Sequence, residues 1–315
     1  MPSSHEFEKS TDRRQFMARC SAVAAPGLLL ANLAVAADTT GTHLPTIKLG
    51  SHRVSRLIVG SNPISGYSYL GDETDREMRA YFTPDRTLAM LQQCEQVGIN
   101  THQFSPASKA TDVYRKLRVV GSKLQLIGLY SNRDDIKPAI EAMRPIALVH
   151  HGGVTDRLVR EDKTVQIRDF LKAVRDQGLL AGMSAHNPEC IKLAAEEDWE
   201  ADFFMTCFYN LSRERSSGGV GNQSAVLPPV NKQIFYRDDP LAMCEVIRQV
   251  KQPCLAFKIL GAGRRCASQQ AVREAFAFAF ANIKPTDGVI VGMYPKRFDQ
   301  VGANVAYTRE HARTG

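Results

Sequence analysis

From about residue 46 onward, short apolar and β-branched runs alternate with stretches whose apolar residues recur at helical spacing. Eight runs read as strands, at 57–60, 98–104, 124–130, 146–150, 180–184, 203–209, 254–260 and 288–292. Between them the spacing predicts amphipathic helices over 83–97, 136–143, 164–177, 188–196, 240–250 and 268–282, several opened by Thr, Ser, Asn or Asp as N-caps. Strands that alternate with helices pair in parallel, because each crossover returns the chain to the same end of the sheet. Eight such units in about 270 residues fit one (β/α)8 barrel. No break in composition divides them, so residues 46–315 are expected to form a single domain. One connection is long: residues 212–239, rich in Ser, Gly, Asn and Pro, follow the sixth strand and read as an active-site cover or a disordered segment.

The first 36 residues follow a different pattern. Thr11-Asp12-Arg13-Arg14-Gln15-Phe16-Met17 resembles a twin-arginine export motif. An apolar stretch over residues 20–36 follows and ends in Ala34-Val35-Ala36, the small-x-small pattern of a cleavage site. An N-terminal membrane anchor is the competing reading, but Pro26, Gly27 and Asn32 interrupt a run already shorter than the ~20 residues of a span. The expectation is a signal peptide over 1–36, a linker over 37–45, passage through the twin-arginine machinery, and a periplasmic or secreted protein with no stable membrane insertion.

Composition adds exclusions. With 43% hydrophobic and 23% charged residues the chain is neither disordered nor a small disulfide scaffold. The formal charge of +7 falls to +6 once residues 1–36 are removed, and the basic residues are scattered, so no nucleic-acid partner is expected. Seven cysteines show no CxxC spacing and read as small core residues.

Four of the eight histidines fall at strand ends: His102 in the second strand, His150 and His151 at the fourth, His186 at the fifth. Barrels of this kind build their active sites at the carboxyl ends of the strands. Neutral imidazoles converging there make His102, His151 and His186 candidate ligands of a divalent metal such as Zn²⁺. His150 or His151 would then be the catalytic base or acid, with Lys258, a cation inside the apolar run CLAFKILG, for an anionic intermediate. The plainer reading of each histidine is a hydrogen-bonded rim residue. Substrate-binding candidates are Arg264 after a glycine-rich turn, Tyr67 in the loop after the first strand, and Asn210 at the end of the sixth.

Six segments resemble the aldo/keto reductase family in its own order: LGSHRVSRLIVGSNPISG (49–66), GINTHQFS (98–105), ALVHHGG (147–153), AGMSAHN (181–187), CFYNLSR (207–213) and VGMYPKRFDQVGAN (291–304). The resemblance implies the (β/α)8 fold of that family and a site at the strand ends. It also implies a nucleotide, NADP, held near Gly292, Gln300 and Asn304. The family's Asp, Tyr, Lys and His tetrad falls on Gln103, about Ser108, near Tyr130, and His150 or His151, so only the His is kept and Gln103 becomes a substrate-binding candidate. Ala303 stands where the family has Glu, and the loop from Gly292 to Gln300 is two residues longer.

These departures order the functions. The first expectation is an exported barrel enzyme acting on a carbonyl-containing or polyhydroxylated small molecule, such as a sugar derivative, by metal-assisted isomerisation, elimination or hydrolysis. The second is an NADP-dependent oxidoreductase of the aldo/keto reductase type. The third is a catalytically silent ligand-binding barrel.

Overall fold

The computed structural model describes residues 44–106, 110–213, 225–230 and 232–312. The expected signal peptide, Ser108 and the middle of the long loop lie outside the described residues.

The elements run β1 (Thr46–Leu49), β2 (His52–Ser55), β3 (Leu57–Gly60), α1 (Asn62–Ser65), α2 (Asp72–Tyr81), α3 (Pro84–Gln96), β4 (Thr101–Phe104), α4 (Thr111–Val119), β5 (Gln125–Tyr130), α5 (Ile136–Met143), β6 (Ala147–His150) and α6 (Gly152–Arg160). They continue with α7 (Thr164–Arg175), β7 (Leu180–Ala185), α8 (Pro188–Glu196), β8 (Phe203–Cys207), α9 (Asp239–Gln249), β9 (Cys254–Phe257), α10 (Gln269–Asn282), β10 (Gly288–Gly292) and α11 (Gln300–His311). Strands β3 to β10 close into a parallel barrel in sequence order, and β1 pairs antiparallel with β2 outside it. The eight expected strands are these eight. Their ends move inward by up to three residues where apolar character runs into a loop, as at 98–100. Helices α2, α4, α6 and α11 are absent from the sequence reading, because their apolar positions are few and sit between polar and glycine residues. At the N-terminal edge the barrel packs from Leu44, which is buried, and the Pro45 carbonyl accepts the Arg56 amide.

Successive strand residues point to opposite faces, and this sorts the core into two parts. Ile58, Ile127, Val149, Phe203, Met205, Leu255 and Ile290 fill the barrel interior, and Ile47, Leu49 and Val54 of the β1–β2 hairpin pack with them. The opposite face, with Leu57, Val59, Leu126, Leu148 and Phe204, packs against the helices. Each fully buried side chain of this size contributes about 1.5–3 kcal/mol. Capping sets several helix starts: Thr83, Asn187, Ser268 and Asp299 each accept a backbone amide from the first turn.

The interior leaves no room at Gly182, whose strand pairs it with Phe203. A Cβ there would lie 2.5 Å from the tip of the Phe203 ring. Gly182→Ala is therefore expected to destabilise the fold by about 1–3 kcal/mol, read by urea unfolding at pH 7; wild-type stability would mean that Phe203 is free to move.

Candidate functional site

The alternation that builds the core also sorts the histidines. His102 on β4 faces outward to the helices: its Nδ1 meets the Val59 carbonyl at 2.9 Å and its Nε2 the Tyr114 hydroxyl at 3.1 Å. His150 on β6 faces the same way, with Nδ1 2.7 Å from the Thr155 hydroxyl and its ring edge against Phe170. Both are fully buried, and burial pulls each imidazole down from 6.5 to about 4. They are neutral packing residues between barrel and helices, so His150 is not a catalytic group. His102 is likewise removed from the metal set, which the barrel wall divides. Among the described residues no three His, Cys, Asp or Glu side chains come together as metal ligands.

His151 and His186 belong to the mouth. The His186 Nδ1 lies 2.8 Å from Asp156 Oδ2. Asp156, only 2% exposed along its side chain, also accepts the backbone amides of His186 and Asn187 at 3.1 Å through Oδ1. Burial, opposed by the Asp156 contact and reinforced by the charge of Lys258, holds His186 below its ordinary value. Burial and the neighbouring His186 and Lys258 do the same to His151, whose Nδ1 is buried without a hydrogen-bond partner. Both imidazoles are therefore held in the unprotonated form at neutral pH.

Lys258 follows β9 in a left-handed backbone conformation, φ +59°, rare for a residue with a Cβ. Its Nζ lies 4.7 Å from the ring centres of both Phe257 and Tyr69. Burial works against the ammonium, while Tyr69, Cys207 and Asp156 outweigh it and raise Lys258 above its ordinary value. Burial pushes the Cys207 thiol up to about 11, so it stays protonated and serves packing. Tyr69 and Ala262 also have positive φ, +61° and +50°. Three non-glycine residues in this region beside one cleft is the clustering of backbone strain found at functional sites.

That cleft, of about 500 Å³, is lined by the loop after β3, the ends of β9 and β10, and the segment leading into α11. Tyr67, Gln103, Lys258, Gly292, Gln300 and Asn304, all singled out from the sequence, stand on its wall, and so do Tyr69, Tyr294 and Arg297, of which Tyr294 and Arg297 carried no signal beyond the cofactor-loop segment. Gln103 also donates its amide to the Phe104 carbonyl at 2.8 Å. Tyr67, 53% exposed, is the accessible aromatic. His151 and His186 are set back from the cleft, and His186 packs its ring against the edge of Phe257, which lines it.

Two expected substrate contacts are spent on structure. The Asn210 side-chain oxygen accepts the amide and hydroxyl of Ser212. Arg264 stacks 3.9 Å over Phe235 and donates to the carbonyls of Pro229 and Tyr69. It thereby ties the described part of the long loop, where Val226 bridges Tyr236 and Phe235 is buried against Tyr209, to the cleft wall. Sequence reasoning missed Asp156 and Tyr69 as partners of His186 and Lys258, since neither pair has a spacing that a local window reads.

No protein-family model matches the chain, and no curated protein sequence matches it. Solved structures do match in fold. A putative 2,5-diketo-D-gluconic acid reductase B superposes with a TM-score of 0.53 at 11% identity, over 85% of this chain and 87% of that one. An aldo-keto reductase from Bacillus halodurans, in its holo form, gives 0.50 at 15% identity, over 86% and 95%. A glycerol dehydrogenase from Gluconobacter oxydans is matched over 64% of its own length, at 13% identity, a TM-score of 0.42 and 70% of this chain. The first two show the fold that the strand-end segments suggest, a (β/α)8 barrel like that of the aldo-keto reductases.

The outward histidines have a measurable signature. Each binds its proton less tightly in the folded chain than when exposed, so it favours the fold above pH 6.5 and that contribution is lost as the pH falls from 6.5 towards 4. His102→Gln is expected to flatten the loss of stability across this window, by about 1–3 kcal/mol. Urea unfolding at pH 7 and pH 4.5 checks it, and an unchanged acid limb would contradict the buried, neutral assignment.

Proposed function

We propose that the protein is a barrel enzyme acting at the carbonyl or hydroxyl carbon of a small polyhydroxylated molecule, such as a sugar derivative, with a nicotinamide dinucleotide held in the cleft. The contact between Lys258 and Tyr69 on the cleft wall carries this reading. A position-by-position comparison with the reductase tetrad finds neither a Tyr nor a Lys, yet the fold brings such a pair together from the loop after β3 and the end of β9. A phenol backed by an ammonium can give a proton to a carbonyl oxygen, or accept one from an alcohol. The resemblance of the fold to structures described as reductases supports the same direction.

The residues present fit a nucleotide in outline. The cleft volume lies in the range of cofactor sites. Gly292 brings bare backbone to the wall, where a Cβ would strike the Pro63 ring at 2.6 Å. The Tyr294 hydroxyl is buried without a partner, and Arg297 offers a cation to phosphate. One contact implied by the resemblance is already filled: the Gln300 side-chain oxygen accepts the Tyr294 amide. Arg297 and Asn304 are left to hold the nucleotide. When bound, a nicotinamide supplies or accepts the hydride. Tyr69 moves the proton at the substrate oxygen, the Lys258 ammonium packs on the Tyr69 ring and holds it in place, and Phe257, Ile290 and Met78 line the cleft and keep water from it.

A second reading, proton transfer beside a carbonyl without hydride, is favoured by the Asp156–His186 contact, which the first leaves without a task. It calls for no metal.

Nucleotide at 100 times its dissociation constant should stabilise the protein by about 2.7 kcal/mol, visible as a rise in melting temperature with NADP or NAD. Arg297→Ala should abolish the rise. Tyr69→Phe should keep it while lowering turnover of oxidised sugars by about 100-fold or more. No thermal response to either nucleotide at millimolar concentration would overturn the redox reading.

The chain is proposed to be exported. Replacing Arg13 and Arg14 with Lys should leave the precursor in the cytoplasm, because the receptor of this pathway reads both guanidinium groups. Fractionation showing undiminished periplasmic yield would refute the assignment.

A further inference from the structure

We propose that the mouth of the barrel carries a proton-transfer centre for α-hydroxy carbonyl compounds, in which His186, held by Asp156, takes the proton from the carbon beside the carbonyl while Lys258 polarises the carbonyl oxygen. This deepens the proton-transfer reading, on which it rests, and does not depend on nucleotide binding.

The geometry starts at Asp156, on the buried side of α6. Its Oδ1 accepts two consecutive amides at the end of β7, those of His186 and Asn187, and its Oδ2 meets Nδ1 of the His186 ring. A carboxylate that accepts from three donors on one strand end is fixed in place, and it fixes the ring with it. Because a carboxylate only accepts, the hydrogen shared with His186 sits on Nδ1, which leaves the lone pair on Nε2. The side chain of His186 is 14% exposed, so the ring is not sealed in the core as those of His102 and His150 are. Phe257 supplies the second coordinate. Its ring packs against His186 with centres 5.8 Å apart, and the Lys258 Nζ stands 4.7 Å from the same ring centre. The His186 ring and the Lys258 ammonium thus pack on the same aromatic ring beside the cleft. Burial, which keeps His186 below its ordinary value, leaves it ready as a base at neutral pH.

These groups suffice for one reaction without any external reagent. Nε2 of His186 takes the proton, and the electron pair of the broken C–H bond forms a carbon–carbon double bond. The carbonyl π pair moves onto oxygen, where Lys258 and Tyr69 meet the new charge and supply a proton. The product of the half-reaction is an enediol. Return of the proton from His186 to the neighbouring carbon, while the hydroxyl on the other carbon gives its proton to the now deprotonated Lys258–Tyr69 pair and becomes the carbonyl, interconverts aldose and ketose. No net oxidation occurs. Asp156 is a positioning residue, and the substrate class is a sugar or sugar derivative with a hydroxyl next to its carbonyl.

The test is proton exchange into dihydroxyacetone, D-xylulose and D-fructose in D2O, followed by NMR on the full-length protein with no nucleotide added. Deuterium is expected at the carbon beside the carbonyl of at least one probe. His186→Gln should lower that rate by 100-fold or more, and Lys258→Met by 10-fold or more. Imidazole added to His186→Ala should restore part of the rate, a rescue that a merely structural histidine would not show. Should the His186 variants fold poorly, Lys258→Met and Asp156→Asn serve in their place, with exchange compared at matched melting behaviour. No exchange into any probe by the wild-type protein overturns the proton-transfer reading and this inference together. Exchange that persists at full rate in His186→Gln overturns the assignment of the base alone, and a nucleotide effect on melting temperature is independent of both outcomes.

Discussion

A closed ring of eight parallel strands gives each strand residue one of two directions, into the barrel or out against the helices, and the molecule's chemistry follows from that constraint. His150 and His151 are neighbours in the chain, yet the ring sends the first against Thr155 and Phe170 and leaves the second at the mouth. His102 falls on the outer side by the same rule and spends both ring nitrogens on Val59 and Tyr114. A three-histidine metal site would have required all three rings on the inner side, and the alternation forbids it.

What the wall does place at the mouth is a balanced set of charges and neutral bases. Lys258 brings one positive charge into an apolar surrounding, where Phe257 and Tyr69 cover it and Asp156 lies close enough to support it. His151 and His186 are held neutral by burial with that ammonium nearby, which is the electrostatic condition for a base and an electrophile to coexist in a small volume. Cys207 sits in the same neighbourhood, and burial keeps it a protonated thiol.

The loops above the barrel bear the cost of this arrangement. Tyr69, Lys258 and Ala262 all hold left-handed backbone conformations that ordinary side chains resist, and Arg264 fastens the region by joining the Tyr69 carbonyl, the Pro229 carbonyl and the face of Phe235. Such conformations persist only where surrounding contacts over-determine them. The glycine-rich turn that suggested a ligand-binding arginine is a brace, and the long connection after β8 is anchored through Phe235 where it is described.

The sequence by itself determined the fold. Eight short, continuous apolar runs alternating with stretches of helical spacing admit little other than a parallel barrel, and the hydrophobic effect that rewards burying them depends on pattern rather than on distant pairings. It also singled out several residues that line the cleft, Tyr67, Gln103, Lys258, Gly292, Gln300 and Asn304, because strand ends and loop signals are local. Helices such as α2 and α11 stayed hidden, since their stability comes from packing against neighbours that no local window contains. Only the tertiary structure decided which histidine faces the mouth, that Asp156 holds His186, that Tyr69 meets Lys258, and that Arg264 and Asn210 make framework contacts. Each of these is a contact between residues whose separation along the chain says nothing about their distance in space until the barrel has closed.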